Sequence, residues 1–461
     1  MKRSIVLILA FALALSLPVK GEEPPEPLRI AFIDSGISTK HIDPAHVEKG
    51  INLVFPDADT QDRIGHGTAT AGMVLGSPEQ GVTGTCPEAV AVPYVVLDTY
   101  PSGVVENGGW EALCKAIYAA VDDGCRIINI SLSTTEDTQE LRDAVACAEE
   151  RGVVVVSAVG NSGEEGSTCY PAAYETVIAV GTADGNTVAS FSQTGADLVV
   201  DGLQLTAATR RNRMQAEAVS GTSYSCALLT GLCGRLLELY PGLTPAELRS
   251  KLYSMAADIL EPGFDSLSGW GVISPRLFPF RDVPPDSWSY PGIRYVHEAG
   301  WMNGVGNGYF APEAPLNRAM LVTILWRMED MPEAEKSNVF TDVPEAAWYH
   351  PAICWAASAG IVEGYGNGLF GPKEEITREQ LAVILYRYAS GLGRDTEYGG
   401  RELTGYADAE SVSTWAYDAL CWAVHTGLMN GSGANRLAPG DPADRGQTAA
   451  VLLRFSGTQS D

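Results

Sequence analysis

Histidine is scarce in this chain, with six residues in 461, so any imidazole base comes from a short list. Cations are also few. Lys and Arg total 31 against 57 Asp and Glu, a formal net charge of −26. Such a surface repels nucleic acid and anionic membranes, which argues against a nucleic-acid function. The nine cysteines show no C-x-x-C spacing, so a cysteine-ligated metal site is not expected. Cys114, Cys125, Cys147, Cys226 and Cys233 lie in apolar runs and read as small buried hydrophobes. One or two disulfides would suit an exported protein, but no pairing is legible. Long apolar runs are lacking too, except Ser4 to Leu17, which is shorter than the ~20 residues that span a bilayer. Lys2 and Arg3 precede it and "PVKGEEPPEP" follows, the layout of a secretory signal peptide over residues 1–21. A membrane anchor is the competing reading. No integral membrane span is expected once the leader is removed.

What is present is a chain too long for one ordinary core, so two or more domains are expected. From Leu28 to about Phe278, runs such as "LRIAFIDSG", "VAVPYVVLD", "RIINISLS", "GVVVVSAVGN" and "TVIAVGTAD" are almost continuously apolar. Parallel strands covered on both faces have this texture. Helical patterns lie between them, at Asn107 to Asp123 and Thr135 to Glu150. The alternation predicts an α/β domain, an open, mostly parallel sheet with helices on both faces.

After Phe278 the chain repeats. "FRDVPPDSW" recurs as "FTDVPEAAW" and more loosely as "YADAESVSTW". Asp282 to Asp342 and Arg318 to Arg378 are each 60 residues apart, whereas Arg378 to Arg445 is 67. Three copies at this period predict a repeat array of paired amphipathic helices. The expected bounds are 279–335, 338–395 and 403–458, after a first domain at 28–278.

In the first domain, polar residues end apolar strands at Asp34 and Asn161. The crevice beyond the carboxyl ends of parallel strands is where ligands bind. Both Asp-Ser-Gly and Asn-Ser-Gly are also ordinary turn sequences. His66, in "GHGTATAG", opens a helix pattern of small residues, and its flanking glycines permit close backbone approach. Ser223, in "SGTSYS", stands at the mouth of another such helix. N–H groups and the positive end of the helix dipole there suit a developing oxyanion. A serine hydroxyl needs a base, and imidazole supplies one near neutral pH. A buried carboxylate fixes its tautomer. An amide can donate to the oxyanion.

The ordered motifs "IDSG", "HGT", "GNSG" and "SGTSYS" resemble the subtilisin-like serine peptidases over about residues 28–278. The spacings, 32 from Asp34 to His66 and 157 from His66 to Ser223, suit that family. The resemblance implies a triad of Asp34, His66 and Ser223, with Asn161 as oxyanion donor. It implies that Ser131, Leu132 and Ser133, with Ala158, Val159 and Gly160, line the substrate cleft. Ala69 stands where the family usually has a second His. Tyr224 and Ala227 depart from the usual Ser-Met-Ala-x-Pro, with Tyr224 crowding the leaving-group side. Ser133 replaces a usual Gly and narrows the cleft. Too few residues lie between the leader and the first strand for the family's pro-domain. No catalytic cofactor is implied, and a structural calcium ion stays open. The loop "GSPEQGVTG", where the family often binds calcium, holds one carboxylate.

The repeats resemble S-layer homology modules through their "F-x-D-V…W" openings, "G-N-G-x-F-x-P" loops and "N-R-A", "T-R-E" and "D-R-G" helix starts. The resemblance implies non-covalent anchoring to bacterial cell-wall polysaccharide, with Arg318, Arg378 and Arg445 holding an anionic glycan. Arg suits this because its planar fork pairs with carboxylates. Trp288, Trp348 and Trp415 occupy matching positions and are assigned to core packing ahead of glycan stacking. The expected protein is a secreted, wall-attached serine endopeptidase acting on protein or peptide substrates. The alternative is a surface binding protein that keeps the domain as a weak or inactive scaffold.

Overall fold

The computed structural model describes residues 26–457, apart from 164–165, 167, 210–214, 307, 335–339, 400–402, 432 and 434. The leader at 1–21 lies outside the described residues. The chain divides into two compact units, Met1–Pro275 and Arg276–Asp461.

The first unit is built on parallel strands β1 (Arg29–Asp34), β2 (Ile51–Asn52), β3 (Val90–Val95), β4 (Ile127–Ile130), β5 (Val154–Ala158), β6 (Ile178–Asp184), β7 (Leu198–Asp201) and β8 (Val272–Ile273). Their order across the sheet is β8-β7-β6-β5-β4-β1-β3-β2. All neighbours on this path pair in parallel, and Thr187–Val188 adds a short antiparallel strand to β6. The apolar runs are strands for the reason their sequence suggests: both faces are covered. Ala31 and Ile33 of β1 pack with helices α2 (Gly109–Asp122) and α3 (Gln139–Glu150). Ile30 and Phe32 alternate to the other face. Helices α1 (His66–Leu75) and α4 (Thr222–Leu239) pack on each other and against the sheet. Helix α4 buries every residue from Thr222 to Leu237 except Tyr224. That accounts for its small, apolar sequence.

Both forecast helices form, each starting later than its apolar pattern does. Thr138 caps α3 by accepting the Leu141 N–H at 3.2 Å, so residues 135–137 stay outside the helix. None of the nine cysteines is in a disulfide, and seven are buried. Among the described residues, no helix is long and apolar enough to cross a membrane.

The second unit is helical. Each copy supplies a short and a longer helix: α6 (Tyr290–Glu298) and α7 (Arg318–Met328), α8 (His350–Ser358) and α9 (Arg378–Gly391), α10 (Tyr417–His425) and α11 (Arg445–Gly457). The Pro245–Met255 helix, α5, belongs to the first unit. The expected array is in fact a closed ring. Leu316 N–H bonds the Ala443 carbonyl at 2.9 Å, Ile376 N–H that of Leu316 at 2.8 Å, and Ala443 N–H that of Ile376 at 2.8 Å. Helix packing follows the same circuit, α7 on α8, α9 on α10 and α11 on α6. The aspartate of each opening motif has a structural task. Asp282, Asp342 and Asp408 each accept two backbone N–H groups, at 310–311, 370–371 and 437–438.

Candidate active site

In the sheet order, β1 is followed in sequence by strands on one side and by β4 on the other. The crevice at the ends of β1 and β4 is therefore a topological switch point, where ligand sites form in such sheets. Asp34 is the last residue of β1, and Ser131 directly follows β4.

Asp34 is fully buried and its Oδ1 lies 2.8 Å from His66 Nδ1. Its carboxylate also accepts the Ser35 N–H at 2.7 Å and the Thr70 hydroxyl at 3.2 Å. Three donors thus fix its plane. His66 opens α1, and its side chain keeps 24% of its surface exposed. Burial opposes the imidazolium. The contacting Asp34 carboxylate, by charge and hydrogen bond, and the Asp62 charge outweigh that, so the His66 pKa lies above its ordinary value. The approach of α1 to β1 requires glycine at 67. A Cβ there would lie 2.2 Å from the Gly36 carbonyl oxygen and 3.2 Å from Asp34 Cβ.

Ser223 is in the first turn of α4. The preceding residue but one, Gly221, has φ +149°, a conformation side chains seldom adopt. The turn is clamped to the end of β4. Ser223 Oγ donates to the Ser131 carbonyl at 3.0 Å, and Ser131 Oγ donates to the Ser223 carbonyl at 3.0 Å. Behind them, Asn129 Nδ2 donates to Ser131 Oγ at 2.9 Å, and the Thr230 hydroxyl donates to Asn129 Oδ1 at 2.9 Å. Asn161 reaches the same helix mouth. Its Oδ1 accepts the N–H and hydroxyl of Thr222 at 2.9 and 3.0 Å. These bonds assign the carbonyl end of the amide and leave Nδ2 as the outward donor.

Tyr224 covers one side of the imidazole, with ring centroids 5.8 Å apart and planes tilted 46°. Burial and the Asp34 and Glu217 charges raise its pKa, so its hydroxyl stays protonated. Cys226, one turn into α4, is buried, and burial pushes its thiol up to about 12. It is no rival nucleophile.

Of the other cleft residues, Ser131 is buried in the clamp, Leu132 is half-buried and Ser133 is exposed at the rim. Ala158 and Val159 point into the core, and Val159 N–H bonds the Val180 carbonyl. Gly160 is half-buried and its carbonyl accepts the Gln193 N–H at 3.2 Å. Sequence reasoning missed Asp62, Asn129 and Thr222, which hydrogen-bond to the segments that carry Asp34, His66, Ser223 and Asn161. For Asp62 a local signal existed, a carboxylate four residues before His66.

In the loop from Gly76 to Gly84, the side-chain oxygens a calcium ion could use are engaged elsewhere or turned to solvent. The buried Gln80 amide donates to the Thr209 carbonyl at 2.8 Å and accepts the Thr209 N–H at 2.9 Å. Glu79, the loop's carboxylate, is exposed. Among the described residues, no group of three or more His, Cys, Asp or Glu could hold a metal ion.

In the second unit, Arg318, Arg378 and Arg445 are each 7% exposed. Each spans to the next copy around the ring. Arg318 donates to the carbonyls of Phe370 and Glu363, Arg378 to those of Leu437 and Asn430, and Arg445 to those of Phe310 and Asn303. The assignment of the matching tryptophans to the core is wrong. Trp288, Trp348 and Trp415 are 65%, 59% and 57% exposed. The ring core is filled by Phe310, Phe370 and Leu437, which leaves the indoles outside. Trp415, Tyr365, Arg318 and Arg387 line a cavity of about 300 Å³.

A serine at a helix mouth, an imidazole fixed by a buried carboxylate and an outward amide donor make up the equipment of a serine hydrolase. The model of the Subtilase family matches residues 27–271, and that of the S-layer homology domain matches 279–319, 339–382 and 405–449. Subtilisin DY of Bacillus licheniformis is 33% identical over 237 residues, covering 50% of this chain and 84% of that protein. Minor extracellular protease Epr of Bacillus subtilis (strain 168) is 34% identical over 251 residues. That match covers 53% of this chain and 37% of Epr. The crystal structure of fervidolysin from Fervidobacterium pennivorans, a keratinolytic enzyme related to subtilisin, matches with a TM-score of 0.48 and 25% identity. It covers 54% of this chain and 41% of that one. The chain belongs to the subtilase family. It is a subtilisin-like serine endopeptidase whose peptidase domain is followed by three S-layer homology domains, an organisation that implies cell-surface or S-layer association.

Proposed function

We propose that Ser223, His66 and Asp34 are the catalytic triad of an exported endopeptidase held at the bacterial cell wall by its repeats. The observation that carries this is the 2.8 Å contact between the buried Asp34 carboxylate and His66 Nδ1, with Tyr224, the residue after Ser223 at the mouth of α4, packed on the same imidazole at 5.8 Å between ring centroids. With Nδ1 engaged by Asp34, Nε2 is the nitrogen that accepts the proton. Ser223 Oγ leaves the Ser131 carbonyl, turns to His66 and attacks the scissile carbonyl. The oxyanion is met by Asn161 Nδ2 and by the Ser223 N–H, since first-turn N–H groups lack an intrahelical acceptor. His66 then returns the proton to the leaving amine. Residues 131–133 and 158–160 border the peptide. The raised His66 pKa moves the acid limb of kcat/KM upward from that of an ordinary imidazole, because the protonated imidazole cannot act as a base. A fluorophosphonate probe tests the assignment. It labels the wild-type chain and leaves Ser223→Ala unlabelled; equal labelling of both refutes it.

Anchoring is the second half of the reading. The cavity lined by Arg318, Arg387, Tyr365 and Trp415 joins cationic and aromatic groups, the chemistry that takes an anionic sugar. Arg318 carries Tyr365 and Phe370 against its guanidinium, at 4.9 and 4.7 Å. The full-length Ser223→Ala chain pellets with purified cell-wall sacculi, and stripping the wall polymer releases it. Binding that survives stripping contradicts the glycan reading.

A further inference from the structure

We propose that Asp62 is a positioning residue of the hydrolytic site, a second carboxylate that seats the turn carrying His66 and supports the imidazolium formed during reaction. The proposal rests on the assignment of His66 as the general base. Asp62 is buried. Its Oδ1 accepts from Ser35 Oγ at 3.0 Å, Ile64 N–H at 2.9 Å and Gly65 N–H at 2.6 Å. Its Oδ2 accepts from Thr68 N–H at 2.9 Å and Thr68 Oγ1 at 2.6 Å. Four of these five donors belong to the turn that carries His66. The fifth comes from the residue after Asp34.

The relay continues from both ends. Ser35 Oγ, donating to Asp62, accepts the Gly67 N–H at 2.9 Å. Thr68 Oγ1, also donating to Asp62, accepts the Ser38 N–H at 3.1 Å. One carboxylate therefore ties the loop after β1 to the first turn of α1, and Asp34 and His66 are the two residues these segments present. So many bonds on a buried anion fix geometry more tightly than packing alone, because each lost bond leaves an unsatisfied buried group.

The charge matters as well as the bonds. The charged and titratable groups that act on the imidazole are Asp34 on β1 and Asp62 in the preceding loop, with the Tyr224 ring of α4 packed beside it. Arg63 is engaged elsewhere, with Asp98 at 3.0 Å and Asp59 at 2.5 Å. Tyr224 stays neutral. Two carboxylates are thus left to stabilise the imidazolium, Asp34 by contact and Asp62 from behind the turn.

Two variants of the full chain separate these roles, assayed on a chromogenic peptide across pH. Asp62→Asn lowers kcat about 10- to 100-fold with KM nearly unchanged, the scale of a misplaced catalytic group. It also moves the acid limb of kcat/KM to lower pH, which loss of rigidity alone does not do. Ser35→Ala keeps the Asp62 charge but cuts its link to Gly67, so kcat falls while the acid limb stays in place. A folded Asp62→Asn chain with wild-type kcat and an unmoved acid limb overturns the proposal. If Asp62→Asn shows no cooperative melt, Ser35→Ala decides, and wild-type kcat there overturns it. His66→Ala tells the two assignments apart. If it keeps full activity, the base assignment itself fails; if it is inactive while Asp62→Asn is normal, only the role of Asp62 fails.

Discussion

Asn161 shows how a single side chain is prepared before substrate arrives. Its amide could face either way, and Thr222 decides by donating both its N–H and its hydroxyl to Oδ1. The donor end is then aimed by the helix that carries Ser223, since Thr222 is the residue before it. Asn161→Ala is expected to lower kcat by roughly 10²–10³ with little change in KM, the cost of one preorganised oxyanion donor. Thr222→Val is expected to lose part of the same factor, because the amide keeps one of its two anchors. Steady-state kinetics on one peptide checks both, and an Asn161→Ala enzyme with wild-type kcat removes the residue from the mechanism. Asn161 was legible in the sequence because a polar residue ending a run of valines stands out. Thr222 was not, because its role comes from a partner 61 residues away. The same holds for Asn129, whose task emerges only when β4 meets α4.

Among the elements, α1 and β1 carry the strictest steric demand. The first turn of α1 presses on the end of β1, and the Gly67 position leaves no room for a methyl group. Gly67→Ala is expected to destabilise the first unit by about 1–3 kcal/mol, the usual cost of overpacking. Activity falls further than stability, because the displaced turn carries His66. Thermal melting and kcat measured on one preparation check this. An alanine variant with unchanged kcat shows that the helix can shift without displacing His66. The strands and helices of this unit were readable from continuous valine and isoleucine runs, which need no knowledge of the partner. The sheet order was not, because β1 lies between β3 and β4 through pairings that no local pattern records. The tryptophans were misread for a related reason. Aromatic residues at repeated positions look like core, but the phenylalanines after each glycine-rich loop already fill that space in the first two copies.

At the scale of the whole molecule, the repeat unit closes on itself, and that changes how it unfolds. An open array loses end copies one at a time, because each copy contacts only its neighbours. Here the third copy is also a neighbour of the first. Arg445 of copy three donates to Phe310 and Asn303 of copy one, α11 packs on α6, and Ala443 bonds both Leu316 and Ile376. One apolar cluster runs through all three copies. Removing residues 403–461 strips α6 of the helix that covers it and leaves the Phe310 and Asn303 carbonyls without the Arg445 guanidinium. Calorimetry of the full Ser223→Ala chain is therefore expected to show a single cooperative transition for the repeat unit. The shortened chain is expected to lack that transition altogether and to bind a hydrophobic dye. If the shortened chain instead keeps a cooperative transition with roughly two-thirds of the enthalpy, as size scaling assigns to two independent copies, the ring is not the folding unit.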